Sequence, residues 1–424
     1  MKKWLSILFA TFLVLALFSG CSSSNSSSTA SNTSNKSAGK IVIWTYFGQV
    51  KDLAAQFEKK YPKIKVDVKV FPGDQYQTKL LSALQSGTDV PDIFDLERGY
   101  IGKFIDSSFI QDLSAMGGND LVKGYVPYVQ ELGRDSEGKL KAVADTSSPG
   151  AYWYIKANAK KWLGTDDSNK ISQMVNSYDK IIALGEKINK ESNGKVHLVS
   201  SSGDLFNIEA YNTQPFVKNG KLQIDPAWEK IYNTQKAMFN NNVEGKLDFV
   251  SAGWGYALND GSVILTAMPA WGGFMVDNKD NKANSKFGIA NTPKGWYMGG
   301  TYHSIYKNSP NKDLAYKFMQ YVASKEWQTY NLKTTGNMPG LESVFKDNLN
   351  SFTFPMFGDE NVLKPYFDMV KNIPAEKADK YGEDVRAKWV KIAGEGVKNN
   401  EDYNQVVKDF TQEVQNTFPD VQVK

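Results

Sequence analysis

Aromatic rings and carboxyl groups gather where apolar runs end in this chain. Trp44 and Tyr46 close the run that begins at Lys40, and Glu97 and Arg98 follow Pro91–Leu96. Trp271 follows Gly261–Met268 and Pro269 and is flanked by small residues. Flat rings stack on the apolar C–H faces of a cyclic ligand, and a carboxylate accepts several hydroxyl bonds at charge-assisted strength. A site built around hydroxyls rejects analogues that lack them, because its own buried polar groups would be left unpaired. Trp254, between Gly253 and Gly255, reads as an exposed loop ring and joins the candidates. Trp162, Trp228, Trp327 and Trp389 sit in helical patterns beside aliphatic residues and read as core.

Other chemistries find little support. The two histidines, His197 and His303, are far apart and have no cysteine beside them, which argues against zinc. There is no Gly-x-Ser-x-Gly elbow and no phosphate-binding glycine loop. Asp277–Asp280 lacks the ligand periodicity of a calcium loop. No catalytic residue, metal or cofactor is therefore assigned. A glycoside hydrolase, which needs two carboxyls about 5–10 Å apart, remains the rival reading alongside a surface protein that binds a non-sugar solute.

The first twenty residues read as a secretory leader. Lys2 and Lys3 precede the apolar stretch Leu5–Phe18, which is shorter than the ~20 residues that span a bilayer. Cys21 is the single cysteine, so it has no disulfide partner within the chain. Leu17–Cys21 resembles a bacterial lipobox, which implies lipidation of Cys21 and anchoring at the extracellular face of the membrane. Residues 22–39, mostly Ser, Asn, Thr, Ala and Lys, read as a disordered tether. The formal net charge is +4, and Lys2 and Lys3 fall in the leader, so the body carries +2. That balance excludes nucleic acid as an expected partner.

The elements that position these residues are α/β in pattern. A strand at Lys40–Trp44 precedes a helix at Val50–Lys60, with Leu53, Ala54 and Phe57 at helical spacing. Ile64–Val70 alternates as a half-buried strand does, a helix spans Tyr76–Gln85, and Pro91–Leu96 is the third strand. This β-α-β-α-β order predicts an open, largely parallel sheet, with ligand outside the carboxyl ends of its strands. Later helices are expected at 176–191, 226–240, 312–321 and 401–417. A body of residues 40–424 exceeds one compact core and predicts two domains.

Ile41–Trp44, Phe57–Val66, Lys79–Gly87, Pro91–Phe94, Ala267–Trp271 and Gly299–Met319, in this order and spacing, resemble extracellular solute-binding proteins of the maltodextrin-binding type. The resemblance implies a two-lobed periplasmic-binding-protein-like fold. An oligosaccharide would be captured between the lobes by hinge closure and delivered, by a monomer, to an ABC importer's permease. It places about 40–147 with 290–325 in the first lobe, and 148–289 with 326–424 in the second. Gly150, Pro293, Gly336 and Pro339 then lie near the crossings. Trp271 matches a position that stacks on sugar, and Glu97 and Arg98 match a carboxylate and a cation that grip hydroxyls. Glu209 and Tyr211 resemble a glutamate-and-aromatic segment of the second lobe. Trp153, just past the first crossing, and Trp296 and Tyr297, beside Gly299 and Gly300 at the second, complete the implied site.

Overall fold

A computed structural model gives the structure of the protein and describes residues 38–249, 251–276 and 286–423. The leader, Cys21, most of the tether and Asp277–Asp280 lie outside the described residues.

Eleven strands are used below: β1 Gly39–Thr45, β2 Ile64–Val70, β3 Ile93–Glu97, β4 Ala142–Ala144, β5 Gly150–Ile155, β6 His197–Val199, β7 Val217–Lys218, β8 Lys221–Leu222, β9 Val263–Pro269, β10 Phe287–Ala290 and β11 Thr301–Ile305. The first sheet runs β2-β1-β3-β11-β4 and the second β10-β5-β9-β6, while β7 and β8 form a separate hairpin. In the first sheet β1 pairs in parallel with β2 and β3, as the βαβ pattern requires. β11 then enters antiparallel between β3 and β4. A strand from late in the chain thus completes a sheet begun by its first residues.

Helices cover both sheets. Val50–Lys60 buries Val50, Leu53, Ala54 and Phe57, and Phe57 meets Phe318 of helix Lys312–Val322 with ring centroids 5.1 Å apart. Gly87 ends helix Gly73–Ser86 at φ +68°, a left-handed conformation that favours glycine. In the second sheet every residue of β5 and β9 is buried, the mark of a sheet covered on both faces.

Three chain runs join the two lobes side by side. The first links β4 to β5 and the second β10 to β11; the third follows Asn337–Leu341, which still pairs with Tyr125 of the first lobe, and reaches the second where the Met356 carbonyl accepts from the Phe287 N–H. Ser147 N–H donates to the Met338 carbonyl (2.9 Å), Met298 N–H to Ser148 (3.2 Å) and Gly150 N–H to Trp296 (2.9 Å). Gly150 has a steric reason to be glycine, since a Cβ there would lie 2.0 Å from the Trp296 ring. Helix Lys325–Thr335, placed in the second lobe by the expected boundary at 325/326, packs on the first. Its Tyr330 hydroxyl accepts from Gln56 (3.0 Å), and its Trp327 indole donates to Asp145 (2.7 Å).

Burial also writes a pH dependence into the second lobe. Asp204 is buried, and burial pushes its carboxyl up to about 7 despite a bond from the Ser200 hydroxyl at 3.1 Å. A carboxyl raised on folding contributes stability that is fully present below its unfolded pKa and lost as pH rises through the folded value. The melting temperature is therefore expected to fall between pH 5 and pH 8, and Asp204→Asn to flatten that slope. Calorimetric melts across this range check it; equal slopes in the two proteins would contradict it.

Candidate ligand-binding cleft

Between the two sheets lies a cleft of about 560 Å³, at the carboxyl ends of β1, β3 and β9 and against the three crossings. The strand ends supply its rings. Tyr46 follows β1, its hydroxyl 2.8 Å from the Thr301 hydroxyl, and Phe47 beside it is 39% exposed. Trp271 follows β9 in a short 3₁₀ turn that begins at Ala270. Its indole N–H donates to the Met298 carbonyl at 2.8 Å. A Cβ on Gly299, whose φ is +72°, would stand 3.3 Å from that nitrogen. The ring is thus held at its edge by the second crossing while remaining half-buried at the cleft. Trp153 of β5 forms part of the wall, 1% exposed and backed by Phe357 at 5.0 Å and Phe287 at 5.9 Å.

The polar members come from the first lobe and the crossings. Glu97 ends β3; burial raises its carboxyl above the usual range, and a bond from the Gly99 N–H works against that rise. Asp145 follows β4 and is raised by burial, opposed by the charge of His303 and the bond from Trp327. His303 of β11 is 1% exposed, with Nδ1 2.6 Å from Asp95 Oδ1. Burial pulls its pKa down, but Asp95 and Asp145 outweigh burial and hold it above the ordinary value. Among the described residues, no group of three or more His, Cys, Asp or Glu could hold a metal ion.

Tyr46, Glu97, Trp153 and Trp271 are thereby brought together, and the other candidates are not. Arg98 lies in the turn after β3 and enters a different pocket from Glu97, although its charge still works against the rise of the Glu97 carboxyl. It is buried between Tyr211 and Tyr297, its guanidinium carbon 4.7 and 5.1 Å from their ring centroids, and pairs with Glu383. Those three residues, with Arg386 and Glu376, surround a tight pocket of about 70 Å³, where burial raises Glu376 to about 7. Trp44 is 5% exposed and packs on Phe71 at 4.8 Å, below Lys79. Trp254 lies inside helix Ala252–Asp260 and is buried against Phe249 at 4.9 Å, so its glycine neighbours do not mark a loop. Trp296 is spent on Gly150, and Glu209 accepts a 2.6 Å bond from the Tyr178 hydroxyl.

Comparison with known proteins settles the family. A model of the bacterial extracellular solute-binding protein family matches residues 45–329, about two thirds of the chain. The chain belongs to that family. An arabinooligosaccharide-binding protein of Bacillus subtilis (strain 168) is 26% identical over 356 residues, 77% of each chain. Among solved structures, an extracellular solute-binding protein of family 1 superposes with a TM-score of 0.79 at 16% identity, covering 89% of this chain and 99% of that one. The sugar-binding protein MalE of Xanthomonas citri superposes with a TM-score of 0.74 at 16% identity, covering 89% and 96%. The two lobes of a solute-binding protein thus account for the two sheets, and the crossings for the run of interlobe hydrogen bonds.

Several cleft residues carried no sequence signal strong enough to find them. Asp145 and Ser148 fall in the first crossing, Thr301 opens an unpredicted strand, and Phe354 lies outside any long element. Trp327, read as core, is 3% exposed yet lines the cleft as well.

Proposed function

We propose that this solute-binding protein captures an oligosaccharide in the cleft between its lobes and delivers it intact to the permease of an ABC importer. The half-buried Trp271, held at its edge and facing a cleft that also receives Tyr46 and Glu97, carries the reading. It offers a stacking platform beside polar groups suited to hydroxyls, at the strand ends where open α/β sheets bind ligands. The Bacillus subtilis relative, named for arabino-oligosaccharides, supports a sugar of several units. Lipidation of Cys21, anchoring at the extracellular face and a monomeric state complete the proposal and rest on the sequence.

A thermal-shift screen of the body, residues 40–424, against plant and bacterial oligosaccharides tests it. A ligand at 100 times its Kd stabilises by about 2.7 kcal/mol, a rise of about 3 °C for a body of this length. A shift with one sugar series, and recovery of that sugar uncleaved, is the expected result. No shift across the panel would remove the carbohydrate reading, and cleaved sugar would replace it with a hydrolase.

A further inference from the structure

We infer that the cleft accepts oligosaccharides of neutral sugars and rejects those bearing uronic-acid carboxylates. The inference rests on the proposed binding of a sugar in this cleft and adds the charge class of that sugar. Among the described residues, the formally charged side chains that line the cleft are Glu97, Asp145 and His303, and no lysine or arginine does so. The one of these able to carry positive charge is already engaged: His303 is 1% exposed, with its Nδ1 2.6 Å from the fully buried Asp95. An imidazole held in this way has little charge to lend a ligand in either protonation state.

Arg98 adjoins Glu97 in sequence and would be the natural partner for an acidic sugar. Its charge reaches Glu97, but it does not line the cleft: it is closed between two tyrosine rings and paired with Glu383 in a neighbouring pocket. A uronate entering the cleft would lose its water without gaining a charged partner, and while Glu97 and Asp145 are ionised it would also be repelled. Protonating those carboxyls ends the repulsion but supplies no cation, so the missing partner excludes uronates in either state. Neutral hydroxyls meet the opposite situation. Glu97, Asp145 and the side chains of Thr301, Ser148 and Asn331 offer acceptors and neutral donors without a charge penalty.

Titration calorimetry at pH 7.5 tests this with matched pairs that differ only by the carboxylate. α-1,4-Galacto-oligosaccharides are set beside α-1,4-galacturonate oligomers of equal length, and xylo-oligosaccharides with a glucosyl branch beside those with a glucuronosyl branch at the same position. The neutral member of the bound series is expected to bind about 100-fold or more tightly than its acidic partner, the scale of a like-charge mismatch. Glu97→Gln with Asp145→Asn is expected to narrow the gap without closing it, because the cation is still missing. Equal or tighter binding of the acidic member would overturn the charge inference and leave the oligosaccharide reading intact. If wild-type protein bound neither member of any pair, nor any sugar of the panel, the binding reading itself would fall and this inference with it.

Discussion

His303→Ala is expected to cost about 3–5 kcal/mol of stability, the range for removing one partner of a buried ion pair. Asp95 has 0% exposure, its Oδ1 is bonded to His303, and its Oδ2 has no hydrogen-bond partner. Without the imidazole the carboxylate is stranded between β3 and β11, and the vacated ring space adds a cavity cost. Urea unfolding read at the transition midpoint measures the loss. The double change His303→Leu with Asp95→Leu separates the causes: removing both charges should recover much of the stability if the stranded carboxylate dominates. The pH dependence has a definite sign. Because the folded pKa of His303 is raised, its charged contribution is complete below the unfolded value of about 6.5 and fades as pH climbs through the folded one. The difference between wild type and His303→Ala should therefore be larger at pH 6 than at pH 9. A cost below about 1 kcal/mol at pH 6 would show that the pair is not a structural tie.

Trp271→Ala is expected to weaken sugar binding by about 1–3 kcal/mol, roughly 5- to 150-fold, by analogy with the loss of one aromatic stacking platform elsewhere. The ring is half-buried, and its indole is bonded to Met298 in the second crossing, so the substitution touches the joint between the lobes as well as the cleft. Trp271→Phe distinguishes the two roles. It keeps a stacking surface and loses the indole bond, so it should retain more affinity than Trp271→Ala if stacking dominates. Far-UV circular dichroism and the unfolding midpoint show whether either variant has lost its fold. Equal affinity in Trp271→Ala and wild type would remove this ring from the site.

The first lobe was legible where local pattern decides structure. Ile64–Val70 alternates, Val50–Lys60 repeats at helical spacing, and Gly87 ends its helix, so these elements could be read without tertiary information. What local pattern does not carry is pairing over long separation. β11 joins β3 from more than two hundred residues away, and Asp95 and His303 meet only because it does. A largely parallel sheet was the reading of the N-terminal strands, and the antiparallel insertion became visible only in the assembled fold.

The same limit governed the candidate site. Residues at strand ends, Tyr46, Glu97 and Trp271, reach the cleft because topology fixes where such ends lie. Arg98 differs from Glu97 by one position, but it falls in the turn after β3 and enters the neighbouring pocket instead. Trp254 misled because Gly253 and Gly255 suggested a loop, whereas Ser251 caps a helix there by accepting from the Trp254 N–H. Trp44 is the last residue but one of β1, yet Phe71 and Lys79 cover it, and coverage by later chain is not written in the strand itself.

The most direct test is a crystal structure of the chain with the oligosaccharide that gives the largest thermal shift. The account predicts an intact sugar between the two sheets, one ring stacked on Trp271 and hydroxyls within 3.2 Å of Glu97 and Asp145, with Arg98 still paired to Glu383. Sugar bound elsewhere, or in the cleft without contact to Trp271, would contradict it.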